Sequence, residues 1–324
     1  MPLTQFELAR LAETHAPPSG LDDEEIWLSR AKNSNSLNGT EVWWRWYAPW
    51  LEERGYRLRP RYQPGWAPPA QRAYAEREDC VEQTLVRVLD ATRVSDGLQV
   101  LLKVIPDTGE GQAEREILEY LWSPNLRSDP RNHTVPLLDI LKLPYDGDLV
   151  LVMPLLRSFD DPRFQTVGEA VEFFRQVFEA IEFLHDHNIA HGDCTTGNIM
   201  YDATPMYPGG FHAIDTDRAP SWERNAVHYT RTERPVRYII IDFGLSVRIT
   251  GDQTGLVYPA HGRDRTAPEH RPDLIATQTP HDPFPTDVYY LGNFILKEFI
   301  EVGRVPSFHL RSSLKQVLGL FGWI

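Results

Sequence analysis

Residues 167–188 have a single regular conformation that satisfies their apolar pattern. Val171, Phe174, Val177, Phe178, Ile181 and Leu184 recur with a period near 3.6, which sets them on one face of a helix. That helix fixes the path of the chain beyond it. It delivers the backbone through Asn188 and Ile189 into the polar loop His191-Gly192-Asp193-Cys194-Thr195-Thr196-Gly197-Asn198, and then into the short apolar run Ile199-Met200-Tyr201. Upstream, Glu82–Val94 and Leu98–Ile105 flank the turn signal Ser95-Asp96-Gly97 and read as strand, tight turn, strand. Gln112–Trp122 carries Ile117, Leu118 and Leu121 at helical spacing. Asp148–Leu155 reads as a buried strand, as does Tyr238–Ile241, which ends at Asp242-Phe243-Gly244. A last helix is expected from near Thr286 to Phe299. A few strands followed by helices predict an α+β fold in two parts.

Composition narrows the function classes. The net charge of −13 argues against a surface built to neutralise nucleic-acid phosphates. The only cysteines, Cys80 and Cys194, make no disulfide framework and fit a reducing compartment. The N-terminal stretch MPLTQFELARLAE lacks an apolar signal core, and no apolar run reaches the ~18–20 residues of a membrane span. The expectation is an intracellular chain, cytoplasmic or nuclear.

Residues 1–80 read apart from the rest, with six of the nine tryptophans and the proline-rich connector 59–69. Trp43, Trp46, Tyr47, Trp50 and Leu51 share one helix face, with Thr40 as the expected N-cap and a kink or a break expected after Ala48 because of Pro49. Tryptophan buries a large area, so this face is expected to pack against the body of the protein.

The polar residues at the ends of the apolar elements form a set. Lys103 stands on an apolar strand, where an ammonium is costly unless it is paired or at a pocket edge. Glu114 lies in the next helix. Asp193, in the loop after 167–188, suits the positioning of an attacking hydroxyl. Asn198 offers a neutral oxygen and Asp242 a carboxylate, the hard donors that suit Mg²⁺. Phosphoryl transfer needs a cation on the phosphates, metal ions for the developing charge and a group that orients the acceptor.

Taken singly, each of these residues is commoner as a solvated charge or a turn residue. In order, they match the signature set of protein kinases: V-x-x-K ending at Lys103, Glu114, H-x-D-x-x-x-x-N from His191 to Asn198, and D-F-G at Asp242. Ala267-Pro268-Glu269 resembles the A-P-E motif, and Thr286–Gly292 resembles the D-V-W-S-L-G helix. The resemblance covers roughly residues 82–300, and its wording is similar to fungal protein-kinase-like proteins. It implies a two-lobed fold: a β-rich N-lobe and hinge over 81–155, and a mainly helical C-lobe over 156–324, shortened at its C-terminus and carrying an insert at about 202–237. It implies ATP and Mg²⁺ as cofactors, Lys103, Asp193, Asn198 and Asp242 as catalytic residues, and Asn198 and Asp242 as metal ligands. It further implies Lys103, Glu114, Leu101, Met153 and Met200 around the nucleotide, and Leu118, His191 and Phe243 stacked and anchored by Asp287.

The pattern departs from the family in identifiable places. No G-x-G-x-x-G precedes Lys103. Leu101 replaces the small alanine of V-A-I-K, and Gly192 replaces the arginine of H-R-D, which implies no activation through that arginine. Thr195 stands where serine/threonine kinases carry lysine. The insert 202–237 reads as a surface hairpin or loop. Glu269 lacks the arginine that usually pairs with it. A C-terminal helix with Leu314, Val317, Leu318 and Phe321 on one face is expected. The leading expectation is an ATP-dependent kinase of serine/threonine type acting on a protein substrate. Its alternatives are a weak or inactive kinase-like scaffold and a small-molecule phosphotransferase.

Overall fold

The structure, a computed structural model, describes residues 37–63, 66, 81, 85–144, 147–251, 255–258 and 264–301. They fall into two compact units. The first contains the described residues up to Asp107, with Leu138–Leu155 and Gly209–Val227. The second contains Thr108–Leu137, Leu156–Pro208 and the described residues from His228 onward. Helix and antiparallel sheet are both present, as an α+β chain requires.

In the first unit, helix α1 (Gly39–Glu53) starts at Asn38, not at Thr40. Asn38 Oδ1 accepts from the Glu41 amide at 3.0 Å, and the Glu41 carboxylate accepts from the Asn38 amide at 2.9 Å. This closed capping box satisfies two amides that a threonine at position 40 would leave open. Pro49 sits inside the helix without breaking it. An internal proline costs about 3 kcal/mol, but the turn beyond it buries Trp50 and Leu51, each worth about 2 kcal/mol. The buried face is Trp44, Tyr47, Ala48, Trp50 and Leu51, with Trp43 and Trp46 only partly covered.

That face packs on a five-stranded sheet of β1 (Tyr56–Arg57), β2 (Val88–Arg93), β3 (Gln99–Ile105), β4 (Asp139–Lys142) and β5 (Leu149–Pro154), in the order β1-β2-β3-β5-β4. Every neighbouring pair is antiparallel. β2 and β3 form the hairpin expected from the sequence, turning at Gly97 with φ +76°. Strand alternation divides the side chains. Leu89, Ala91, Val100, Leu102, Val104, Val150 and Val152 meet the aromatic helix. Leu101 and Lys103 lie on the opposite face, paired in register with Met153 and Leu151.

Beneath α1, Glu41 is fully buried and closes on Arg61 through two bonds of 2.7 and 2.9 Å. Residues 209–227 pack irregularly. They form no hairpin, only an isolated bridge between Arg218 and Asn225, and they bury Phe211, His212 and Ala219.

The second unit contains α2 (Gly109–Leu121), β6 (Arg157–Ser158), α3 (Val167–Asp186), β7 (Ile189–Ala190), β8 (Ile199–Asp202), β9 (Arg237–Ile240), β10 (Val247–Arg248), α4 (Pro272–Ala276) and α5 (Pro283–Phe294). A π-helical stretch, Ile295–Glu301, continues α5. Strands pair as β6-β8-β9 and β7-β10. Thr166 caps α3. The buried face of α3 is Ala170, Phe173, Phe174, Val177, Ala180, Ile181 and Leu184, so it is rotated from the expected stripe: Val171 and Phe178 are only partly covered. Phe173 joins a core of Phe159, Phe294 and Phe299, with ring centres 5.0, 5.9 and 5.6 Å away. α5 begins ahead of Thr286, because the Asp282 side chain caps the Phe284 amide and Pro283 opens the helix.

The basic end of the insert is partly internal. Arg231 is buried and donates to the carbonyls of Pro162 and Phe159 at 2.6 and 2.8 Å. The helix expected around Leu314–Phe321 lies outside the described residues. Among the described residues, no helix is long and apolar enough to cross a membrane.

Candidate active site

The loop after α3 is held by one buried carboxylate. Asp287, on α5, is fully buried and accepts from the amides of His191 and Gly192 at 2.7 and 2.8 Å, and from His185 Nε2 at 3.0 Å. A carboxylate that accepts several N–H bonds is a strong rigid anchor. His191 then links two segments. Its Nε2 donates to the Ile241 carbonyl at 3.0 Å, and its Nδ1 accepts from the Asp193 amide at 3.3 Å, which fixes the Nε2–H tautomer. Phe243 is fully buried, 5.1 Å from the His191 ring and close to perpendicular to it. The expected contact of His191 with Phe243 is therefore present, edge-on and not stacked, as is the Asp287 anchor.

Asp193 is buried in this loop. Asn198 donates through Nδ2 to the Asp193 carbonyl at 2.8 Å and to Asp193 Oδ2 at 3.0 Å. With the amide nitrogen so committed, Oδ1 is the atom left to accept or to bind a cation. The Ile241 amide donates to the Asn198 carbonyl at 3.0 Å, which ties the loop to the strand end that carries Asp242. Asp242 is exposed and has φ +63°, a left-handed conformation that costs a non-glycine residue about 1–2 kcal/mol. Strain of this kind is found where the structure aims a side chain. Asp242 Oδ1 and Glu114 Oε2 approach the same point beside Gly244, 3.4 and 3.6 Å from where a Cβ would stand. Glu114 comes from α2 and is buried. One unit thus brings together Glu114, Asp193, Asn198 and Asp242, with Met200 on β8 directly after Asn198. Lys103, Leu101 and Met153 belong to the other unit, where they share one face of the sheet.

Gly192 has a steric reason to be glycine. Its φ is +77°, and a Cβ there would stand 2.6 Å from the Leu245 carbonyl oxygen. No side chain fits without moving backbone. Gly192→Ala is expected to lower the melting temperature by several degrees, roughly 2 kcal/mol or more, measured by thermal unfolding; an unchanged midpoint would mean that the loop repacks freely.

Cys194 is a free, fully buried cysteine. Burial pushes its thiol well above the ordinary range, and Asp287 and Asp193 push the same way. Glu269 Oε2 is buried with no hydrogen-bond partner among the described residues. Sequence reasoning gave no role to His185, although its place in the last turn of α3 was the available signal. It also missed the contact between Tyr120 and Arg248. Among the described residues, no group of three or more His, Cys, Asp or Glu side chains is arranged to hold a metal ion.

No family model matches the chain. A curated protein of Caenorhabditis elegans described as "Putative ribosomal protein S6 kinase alpha-2" is 31% identical over 114 residues, 34% of this chain. The chain spans only 14% of the length of that relative. The likeness to a protein kinase is partial and distant.

Proposed function

We propose that this chain is a protein-kinase-like phosphotransferase with the two-lobed kinase fold, using ATP and Mg²⁺ to phosphorylate a protein hydroxyl. The observation that carries this reading is the Asp193–Asn198 pair. A buried carboxylate is oriented by the side-chain amide nitrogen of Asn198, whose Oδ1 is left for a cation, and the Asn198 carbonyl is bonded to the strand end before Asp242. The sheet order β1-β2-β3-β5-β4 and the partial kinase likeness support the same reading.

In this mechanism Asp193 accepts a hydrogen bond from the acceptor hydroxyl and orients its oxygen for attack. Asn198 Oδ1 and the Asp242 carboxylate would hold Mg²⁺. Mg²⁺ takes one or two protein oxygens alongside phosphates and water, so a two-donor set fits even without a group of three acidic or histidine ligands. The metal would supply neutralisation of phosphate charge. Lys103 is assigned the phosphate-facing ammonium and Glu114 the charge-balancing carboxylate. By resemblance, Leu101, Met153 and Met200 are assigned to the adenine.

Asp242→Asn is expected to weaken Mg²⁺-dependent ATP binding at least about tenfold, roughly 1.4 kcal/mol, in a nucleotide titration followed by thermal shift. An unchanged magnesium requirement would remove Asp242 from the metal. A second reading, a kinase-like scaffold, is favoured by one feature: residues 58–87 separate β1 from β2, where kinases have a short glycine-rich turn. No stabilisation by millimolar Mg·ATP would select it.

A further inference from the structure

Gly192 has no side chain to pair with a phosphate, and α2, with its buried Glu114, is held by a different kind of contact. The guanidinium of Arg248, on β10, lies 3.3 Å from the centre of the Tyr120 ring in the last turn of α2. Among the described residues, no carboxylate or carbonyl competes for Arg248, so the ring is its principal partner. A guanidinium laid on an aromatic face is attracted by the ring's quadrupole, and more strongly where water is excluded.

Both ends of the contact are anchored near the site. β10 pairs with β7 directly before His191, with Arg248 opposite Ile189 and Val247 opposite Ala190. The Ile249 amide adds a bond of 2.8 Å to the Asn188 carbonyl. On the other side, Tyr120 follows Glu114 by less than two helical turns on a rigid helix. Its ring also meets His187 edge-on at 6.2 Å, and His187 is fixed through Nδ1 to the Phe183 carbonyl at 2.7 Å.

We propose that Tyr120 and Arg248 form a phosphorylation-independent clamp that holds α2 against the segment following Asp242 and so keeps Glu114 positioned for phosphoryl transfer. They are positioning residues, and their assignment to catalysis rests on the kinase reading. Hydrogen exchange of the α2 amides tests the clamp separately from that reading.

The experiment uses the full chain with Tyr120→Leu, Tyr120→Phe and Arg248→Met. Transfer from radiolabelled ATP to casein gives kcat and KM for ATP, and hydrogen exchange follows the amides of Ile117–Leu121. Tyr120→Leu and Arg248→Met are each expected to lower kcat about tenfold with less change in KM, and to speed exchange in α2 while α3 is unaffected. Tyr120→Phe, which keeps the ring, is expected to restore most of the rate and protection lost in Tyr120→Leu. The double replacement Tyr120→Leu with Arg248→Met is expected to be no worse than either alone. Wild-type α2 exchange in both single variants, or a Tyr120→Phe variant as defective as Tyr120→Leu, would overturn the clamp. A wild-type chain inert toward Mg·ATP would overturn the kinase reading, and exchange would still decide the clamp.

Discussion

Asp193→Asn is expected to reduce phosphoryl transfer by about a thousandfold while leaving Mg·ATP binding close to wild type. The replacement keeps the shape of the side chain and one oxygen for the Asn198 amide, which now donates to Asp193 Oδ2 at 3.0 Å. It removes the negative charge proposed to orient the acceptor hydroxyl. The loop itself is held by Asp287 through the amides of His191 and Gly192, so it does not depend on the charge at 193. A radiolabelled transfer assay and a nucleotide thermal shift, run on the same preparations, separate catalysis from binding. Equal transfer rates for variant and wild type would remove Asp193 from its proposed role. Loss of both transfer and binding would instead mark a structural residue.

Arg61→Met is expected to give the largest loss of stability. It removes the positive charge that the fully buried Glu41 carboxylate now meets at 2.7 and 2.9 Å. The Asn38 amide, at 2.9 Å, and the Tyr62 hydroxyl, at 3.3 Å, still donate to that carboxylate but carry no positive charge. Removing one partner of a buried pair costs about 3–5 kcal/mol, a fall of roughly 10 °C in the melting transition for a unit of this size. The double replacement Glu41→Leu with Arg61→Met, which removes both charges, is expected to recover most of the loss, because the pair's attraction is largely offset by its desolvation. A single variant that melts with the wild type would show that the carboxylate finds water or becomes protonated at little cost.

The parts of the molecule that could be read from sequence are those specified by local pattern. The β2–β3 hairpin follows from Ser95-Asp96-Gly97 between apolar runs, and α3 follows from its 3.6-residue period. The loop residues Asp193 and Asn198, five positions apart, meet because the intervening chain makes one short turn. What escaped was decided by tertiary contacts. Pro49 looks like a helix breaker until the burial of Trp50 and Leu51 is counted. Thr40 looks like the cap until Glu41 is seen to close on Asn38. The stripe on α3 is displaced toward Phe173 because the aromatic core draws that side inward, which a periodicity count cannot sense. The cation–π contact between Tyr120 and Arg248 joins residues more than a hundred positions apart and leaves no motif. The bridging of Ile241 to Asn198 is equally silent, since backbone groups carry no sequence signal.

The two-residue strand β1 bears on where this chain can be cut. It lies along the outer side of β2, and the helix before it roofs the face formed by Leu89, Ala91, Val100, Leu102 and Val104. A fragment begun at residue 81, the boundary that motif matching recommends, would expose β2's unsatisfied amides and carbonyls beside a bare apolar surface, a template for strand addition between molecules. Such a fragment would self-associate, and poor recovery from it would say nothing about the chemistry of the intact chain.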